Sequence, residues 1–146
     1  MAGASASESS LPPPHALRTA ADVMQSALST VKPDDHVAAA AYLMKHGHAT
    51  ALVIVDDEQD RRPLGLITET DIVRAVADGK DVNDVRIHDL MTSDPTVIPG
   101  TTSVRDAAAL MLAGHFRHLP VVDDGRLIGI VDIRDVCQAL LESAPA

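Results

Sequence analysis

The sequence predicts an α+β protein in which two copies of one β-α-β-β-α unit pack sheet to sheet. Three observations carry this. Residues 22–56 lie on residues 89–123 at an offset of 67 without a gap, pairing Asp22/Asp89, Met24/Met91, Ser26/Ser93, Val37/Val104, Ala40/Ala107, Ala41/Ala108, Leu43/Leu110, Met44/Met111, Gly47/Gly114, His48/His115, Leu52/Leu119, Val55/Val122 and Asp56/Asp123 as identities. Identity that dense marks an internal duplication. The stretch Gly65-Leu66-Ile67-Thr68-Glu69-Thr70-Asp71 is written again as Gly129-Ile130-Val131-Asp132-Ile133-Arg134-Asp135, now at an offset of 64, so the first copy carries three extra residues in one loop. Finally, one unit of roughly 60 residues is marginal alone, so two copies must share a core.

The elements follow in order. A short helix is expected over residues 20–26, then an extended piece (Ser29-Thr30-Val31, repeated as Thr96-Val97-Ile98). A helix comes next, with Val37, Ala40, Ala41 and Met44, or Val104, Ala107, Ala108 and Met111, at helical spacing. Asp35 and Thr102/Ser103 are placed to cap it, and Gly47 and Gly114 to stop it. A strand follows (51–55; 119–122), then a hairpin: Asp124-Gly125 suits a tight primed turn, whereas the first copy uses the longer, charged 57–63. A second strand and a closing helix (72–76; 136–140) complete each unit. The resulting division is a disordered Ser/Ala/Pro tail (1–18), unit 1 (19–78), a linker (79–88), unit 2 (89–142) and a short tail (143–146).

Composition removes several functions. Hydrophobic residues make up 46% of the chain, enough for a real core, but the longest apolar run is only a few residues, too short to span a membrane. With 21 acidic against 12 basic residues and a net charge of -9, the surface repels nucleic acid and anionic lipid. Aromatics at 1% leave no platforms for stacking bases. Residues 1–14 lack a basic start and apolar centre of a secretory signal, so a cytoplasmic protein is expected. Ala/Val/Asp/Arg-rich usage points to a bacterium of high genomic GC content. The single Cys137 forms no internal disulfide and is expected on the inward face of the last helix. Seven histidines, among them His46, His48, His115 and His118, have no cysteine partner; packing or loop roles suit them better than a metal site, and none is assigned.

The repeated corner is where chemistry is concentrated. Each copy reads as a strand running directly into a helix, a place where backbone N–H groups are unpaired and anions are favoured. Two hydroxyls and a carboxylate there suit a phosphate and a ribose diol. The first corner has all three, in Thr68, Thr70 and Asp71; the second has only Asp135. Asp71 and Asp135 serve equally well as acids of a helix start, and Thr68 as a solvent-facing strand residue.

At these residues, and at the strand Phe116-Arg117-His118-Leu119-Pro120-Val121-Val122-Asp123, the chain resembles a tandem pair of CBS domains, the Bateman module, over about residues 20–141. The resemblance implies pseudo-twofold packing of the two units, homodimers, and an adenosine-containing ligand (AMP, ADP, ATP or S-adenosylmethionine) in the cleft between units. It implies no catalysis, but sensing of energy or metabolite levels for an effector protein. By the same resemblance Asp71 would accept the ribose hydroxyls, and Thr68 and Thr70 would hold phosphate or ribose oxygens. Thr50 stands where some relatives contact phosphate. The Thr96-Val97 backbone and Phe116 would flank adenine, and Arg117 and His118 would face the phosphates.

The second corner departs from that pattern. Asp132 replaces the hydroxyl, and a carboxylate about 5 Å from a phosphate is unfavourable by roughly 1–3 kcal/mol. Arg134 either offsets it or pairs with Asp132. One good site at Asp71 and one weak or empty site at Asp135 are therefore expected. The sequence contains no nucleophile–base pair, metal cluster or phosphate-cradling glycine loop, so no enzyme is expected. A regulatory module acting in trans on an unknown partner is the reading; a non-binding structural or interaction dimer is the alternative.

Overall fold

A computed structural model describes residues 18–26 and 29–143; of the tails expected at 1–18 and 143–146, all but residues 18 and 143 lie outside them. The elements are α1 (Ala20–Val23), β1 (Gln25–Ser26), β2 (Thr30–Val31), α2 (Val37–Gly47), β3 (Ala51–Val55), β4 (Pro63–Thr68), α3 (Glu69–Ala77), α4 (Ile87–Leu90), β5 (Thr92–Ser93), β6 (Ile98–Pro99), α5 (Val104–Gly114), β7 (His118–Asp123), β8 (Arg126–Asp132) and α6 (Ile133–Ser143). They form two four-stranded sheets of like topology, β2-β3-β4-β5 and β6-β7-β8-β1. In each, the first strand is parallel to the second and the rest are antiparallel. The α+β architecture of two packed units is as the repeat predicts.

The edge strands are exchanged. β1 precedes unit 1 yet pairs with β8 of unit 2, and β5 pairs with β4 of unit 1. The arm 18–26 and the linker segment 85–93 are repeat equivalents, and each docks on the other's helix. Val104 N donates to Arg18 O at the start of α5, and Val37 N donates to Val85 O at the start of α2. Arg18, counted with the tail in the sequence division, is already held there and also pairs with Glu142 at 2.7 Å.

The repeated glycines follow from this crossing. A Cβ on Gly65 would lie 2.9 Å from Thr92 O, and one on Gly129 would lie 2.8 Å from Gln25 O. The sulfur of Met91 or Met24 presses on the same spot. Only a residue without a side chain lets the exchanged strand pass.

Three apolar layers result. Leu52, Ile54 and Ile67 face Val37, Ala40 and Met44 of α2. Leu119, Val121 and Val131 face Val104, Ala107, Met111, Val136 and Ala139. Between the sheets Ala51, Val53, Val55 and Leu66 meet Leu127 and Ile130. A register shift at the same place in both hairpins, after Ile54 and after Val121, lets Leu64 and Ile128 stay on the helix side. Because Thr68 and Asp132 continue the inter-sheet faces of β4 and β8, both corners open toward the seam. Among the described residues no helix is long and apolar enough to cross a membrane.

Four local expectations are corrected. Residues 20–26 are one helical turn followed by a strand, because Gln25 and Ser26 are taken up by β8. Asp35 does not cap α2: its Oδ2 accepts from Lys32 N at 2.9 Å, and linker carbonyls of Val82 and Val85 satisfy the helix start instead. Ser103 does cap α5, accepting from Asp106 N at 3.0 Å. The left-handed positions ending α2 and α5 are His48 (φ 53°) and His115 (φ 59°), one residue beyond the glycines; Gly114 is instead in contact with the Phe116 ring. Cys137 is exposed, because Val136, Ala139 and Leu140 carry the inward stripe and Cys137 lies on its flank. The Asp124-Gly125 turn has both φ positive (54° and 80°), the primed geometry its sequence predicts.

Candidate functional site

Two cavities flank the seam at the corner end of the sheets. The larger, about 590 Å³, is lined by Thr68, Thr70, Asp71, Thr96, Phe116, Arg117 and His118, together with Arg74, Thr92, Asp94 and His115. Its volume lies in the range of small-molecule sites, roughly 300–1,000 Å³. The smaller, about 290 Å³, is lined by Thr50, Asp132, Arg134, Asp135 and His118, with Gln25, His48 and Gln138. So the first-corner residues and those of the opposing strand line one cavity, the grouping the resemblance implies. Thr50 stands between the two cavities: it lines the smaller one and also a narrow cleft shared with Thr68, Thr70, Arg117 and His118, while Thr96 but not Val97 lines the larger cavity.

The first corner is built by a capping box. Thr68 N donates to Asp71 Oδ2 at 2.9 Å and Asp71 N donates to Thr68 Oγ1 at 3.2 Å, tying the last strand residue to the first turn of α3. The helix-start role of Asp71 is therefore real, but it uses one carboxylate oxygen; among the described residues Oδ1 has no protein partner and belongs to a side chain lining the larger cavity. In the second corner Asp132 N donates to Asp135 Oδ2 at 2.9 Å and Arg134 N to Asp132 Oδ1 at 2.6 Å. Here Asp135 Oδ1 also has a partner, Gln25 Nε2 at 3.4 Å. Arg134 thus meets Asp132 through its backbone rather than its guanidinium.

The charge balance differs accordingly. The larger cavity sets Arg74 and Arg117 against Asp71 and Asp94; the smaller sets Arg134 against Asp132 and Asp135. Arg74 was not foreseen in the sequence, although it lies one turn after Asp71 and hence on the same face of α3. Its repeat equivalent is the uncharged Gln138. His115 and His48, read in the sequence as packing or loop residues, line equivalent places in the two cavities.

Between the cavities the units are joined by side chains. His118 Nε2 is 2.7 Å from Thr50 Oγ1 and 3.5 Å from Asp132 Oδ2, and Thr50 donates to Asp132 Oδ2 at 3.1 Å. Burial holds the His118 pKa below the ordinary histidine value against the opposing pull of the Asp132 carboxylate. His118 therefore faces the seam as a neutral imidazole rather than as a cation for phosphate.

The duplicated topology, the exchanged strands and the paired corners coincide with a sequence match to the CBS domain family at residues 20–78 and again at 87–142. The chain belongs to the CBS-domain family. It is 42% identical over 113 residues to a 17.7 kDa protein of Acidianus ambivalens, covering 77% of this chain and 66% of that one. Against two further archaeal relatives, from Methanopyrus kandleri and Methanocaldococcus jannaschii, it spans 60% and 41% of their lengths. Among solved structures, a CBS domain protein of Pyrobaculum aerophilum complexed with AMP superimposes with a TM-score of 0.78 at 26% identity, covering 88% of this chain and 99% of that one. CBSX2 in complex with AMP superimposes with a TM-score of 0.70 at 33% identity, covering 86% and 97%.

Proposed function

We propose that this CBS pair is a ligand-sensing module that takes one adenosine-containing nucleotide in the larger cavity and relays its occupancy to a partner protein in trans. The observation that carries the reading is the open Asp71 Oδ1 in a cavity that also holds two arginines. A carboxylate oxygen free to accept from two ribose hydroxyls lies beside the backbone N–H groups of a helix start. Arg74 and Arg117 supply charge-assisted donors for phosphate, and Phe116 supplies the aromatic face. The AMP complexes of two structural relatives agree with this choice of ligand. ADP, ATP and S-adenosylmethionine belong to the same class, and a cytoplasmic setting would expose the site to all of them.

Ligand would act by population shift, which requires that it bind two states of the seam unequally. His118 lines both cavities and bonds to Thr50 of the other unit, so it is the contact through which an occupied cavity would bias the seam. Self-association fits the exposed Tyr42, Val73, Val76, Leu112 and Leu141 on the outer helices, and we assign these helices to a homodimer, to be checked by light scattering.

The test of the ligand reading is thermal unfolding with AMP, ADP, ATP and S-adenosylmethionine. At 100 times its Kd a ligand adds about 2.7 kcal/mol of stability. Asp71→Ala should abolish the response and Asp135→Ala should keep it. Equal responses of wild type and Asp71→Ala would refute the assignment; no response of wild type to any of the four would favour the non-binding interaction dimer.

A further inference from the structure

We propose that Gln25 is a built-in stopper that occupies the nucleoside-recognition point of the second corner and so limits the chain to one ligand. The inference rests on the reading that these corners recognise a nucleoside. It starts from the exchanged strands. Gln25 and Thr92 are repeat equivalents, each the first residue of the crossing strand, and they sit in register opposite the equivalent residues Ile130 and Leu66. Both therefore stand over a corner aspartate.

Their reach differs. Thr92 is short and makes no hydrogen bond to Asp71, whose Oδ1 lacks a protein partner among the described residues. Gln25 extends its amide to Asp135 Oδ1 at 3.4 Å, while Oδ2 accepts from Asp132 N. An amide N–H donates to a carboxylate as a ribose hydroxyl would. Gln25 thus fulfils the ligand's part in a cavity half the volume of its counterpart, about 290 against 590 Å³. Asp132 is a second, separable barrier. It repels phosphate but not an uncharged nucleoside, whereas Gln25 excludes both.

That separation makes the test. Stoichiometry is measured by titration calorimetry with AMP and with adenosine on the full chain, with circular dichroism as the folding control. Wild type should bind one AMP. Gln25→Thr, which copies Thr92, should take two adenosine and still one AMP. Asp132→Thr alone should still take one AMP, and the double variant should take two, the second being lost on adding Asp135→Ala. Should Gln25→Thr unfold, Gln25→Ser makes the same opening. The proposal is overturned if wild type binds two, if Asp132→Thr alone gains a second AMP, or if the double variant stays at one. Should wild type bind neither probe, the proposed function fails separately. An Asp135-dependent equivalent gained by the double variant would then uphold the stopper, and no gain would overturn it too.

Discussion

Thr50 and Asp132 come from different units and share a hydrogen bond of 3.1 Å, with His118 Nε2 2.7 Å from the same hydroxyl. A hydroxyl donates one proton. With that proton on Asp132, Thr50 must accept from His118, which then carries its own proton on Nε2. The three groups are mutually satisfied only while both sheets keep their register at the corner end. The seam is therefore locked by polar chemistry at one end and by apolar packing along its length.

Thr50→Val keeps the shape and removes the hydroxyl. It leaves the His118 donor and the Asp132 acceptor without their bridge, and removing such a partner from a poorly solvated group is unfavourable by about 1–3 kcal/mol. A fall in urea-unfolding stability of that size is expected, with Thr50→Ser close to wild type. An unchanged midpoint in Thr50→Val would show that the bridge is dispensable.

Acid should weaken the same lock. The His118 pKa lies below its unfolded value of 6.5 because burial opposes the charged ring. Between the folded and unfolded pKa the unfolded chain binds more protons, so this residue's contribution is present above pH 6.5 and is lost as pH falls. His118→Gln removes the titration. The stability gap between wild type and His118→Gln should be largest near pH 7.5 and shrink toward pH 5.5; a gap that widens on acidification would reverse the assigned sign.

Arg74→Gln gives the larger cavity the residue its repeat equivalent already carries. It removes one charged donor toward phosphate and leaves the Asp71 corner intact. A lost charge-assisted bond of about 1.5–3 kcal/mol predicts AMP binding weaker by roughly 10- to 150-fold and adenosine binding little changed. Calorimetry with the two ligands reads this directly, and equal weakening of both would place Arg74 outside the phosphate subsite.

Much of this architecture was legible because duplication makes the sequence its own control. Element order and the α+β class follow from aligning the copies, and the grouping of Thr68, Thr70 and Asp71 against Phe116 and Arg117 from the resemblance to the CBS pair. What escaped was set by long-range pairing. Nothing local in Gln25-Ser26 marks an edge strand for the distant sheet, so residues 20–26 read as helix. Thr50, grouped with the first corner by resemblance, does share a cleft with Thr68 and Thr70, but the seam geometry also turns it to the second cavity, which no local pattern marks. Asp35 looked like a cap because its type suits one, but the linker backbone reached the helix start first. Cys137 differs from the buried Val136 by one step around a helix, too fine a distinction for a periodic pattern.

The exchanged strands also make a prediction about glycine. At Gly129 a methyl group would collide with Met24 and sit 2.8 Å from Gln25 O. Met24 has a flexible end and can yield, but the carbonyl belongs to the β1 backbone paired with β8. Gly129→Ala should therefore push β1 off the sheet and destabilise by about 1–3 kcal/mol, the usual range for overpacking. Adding Met24→Ala should restore little, since the backbone contact remains. Hydrogen exchange would place the damage: the amides of Gln25 and Ser26 should lose protection before those of β7. Full rescue by Met24→Ala would mean that side-chain crowding, rather than the crossing strand itself, is what requires glycine there.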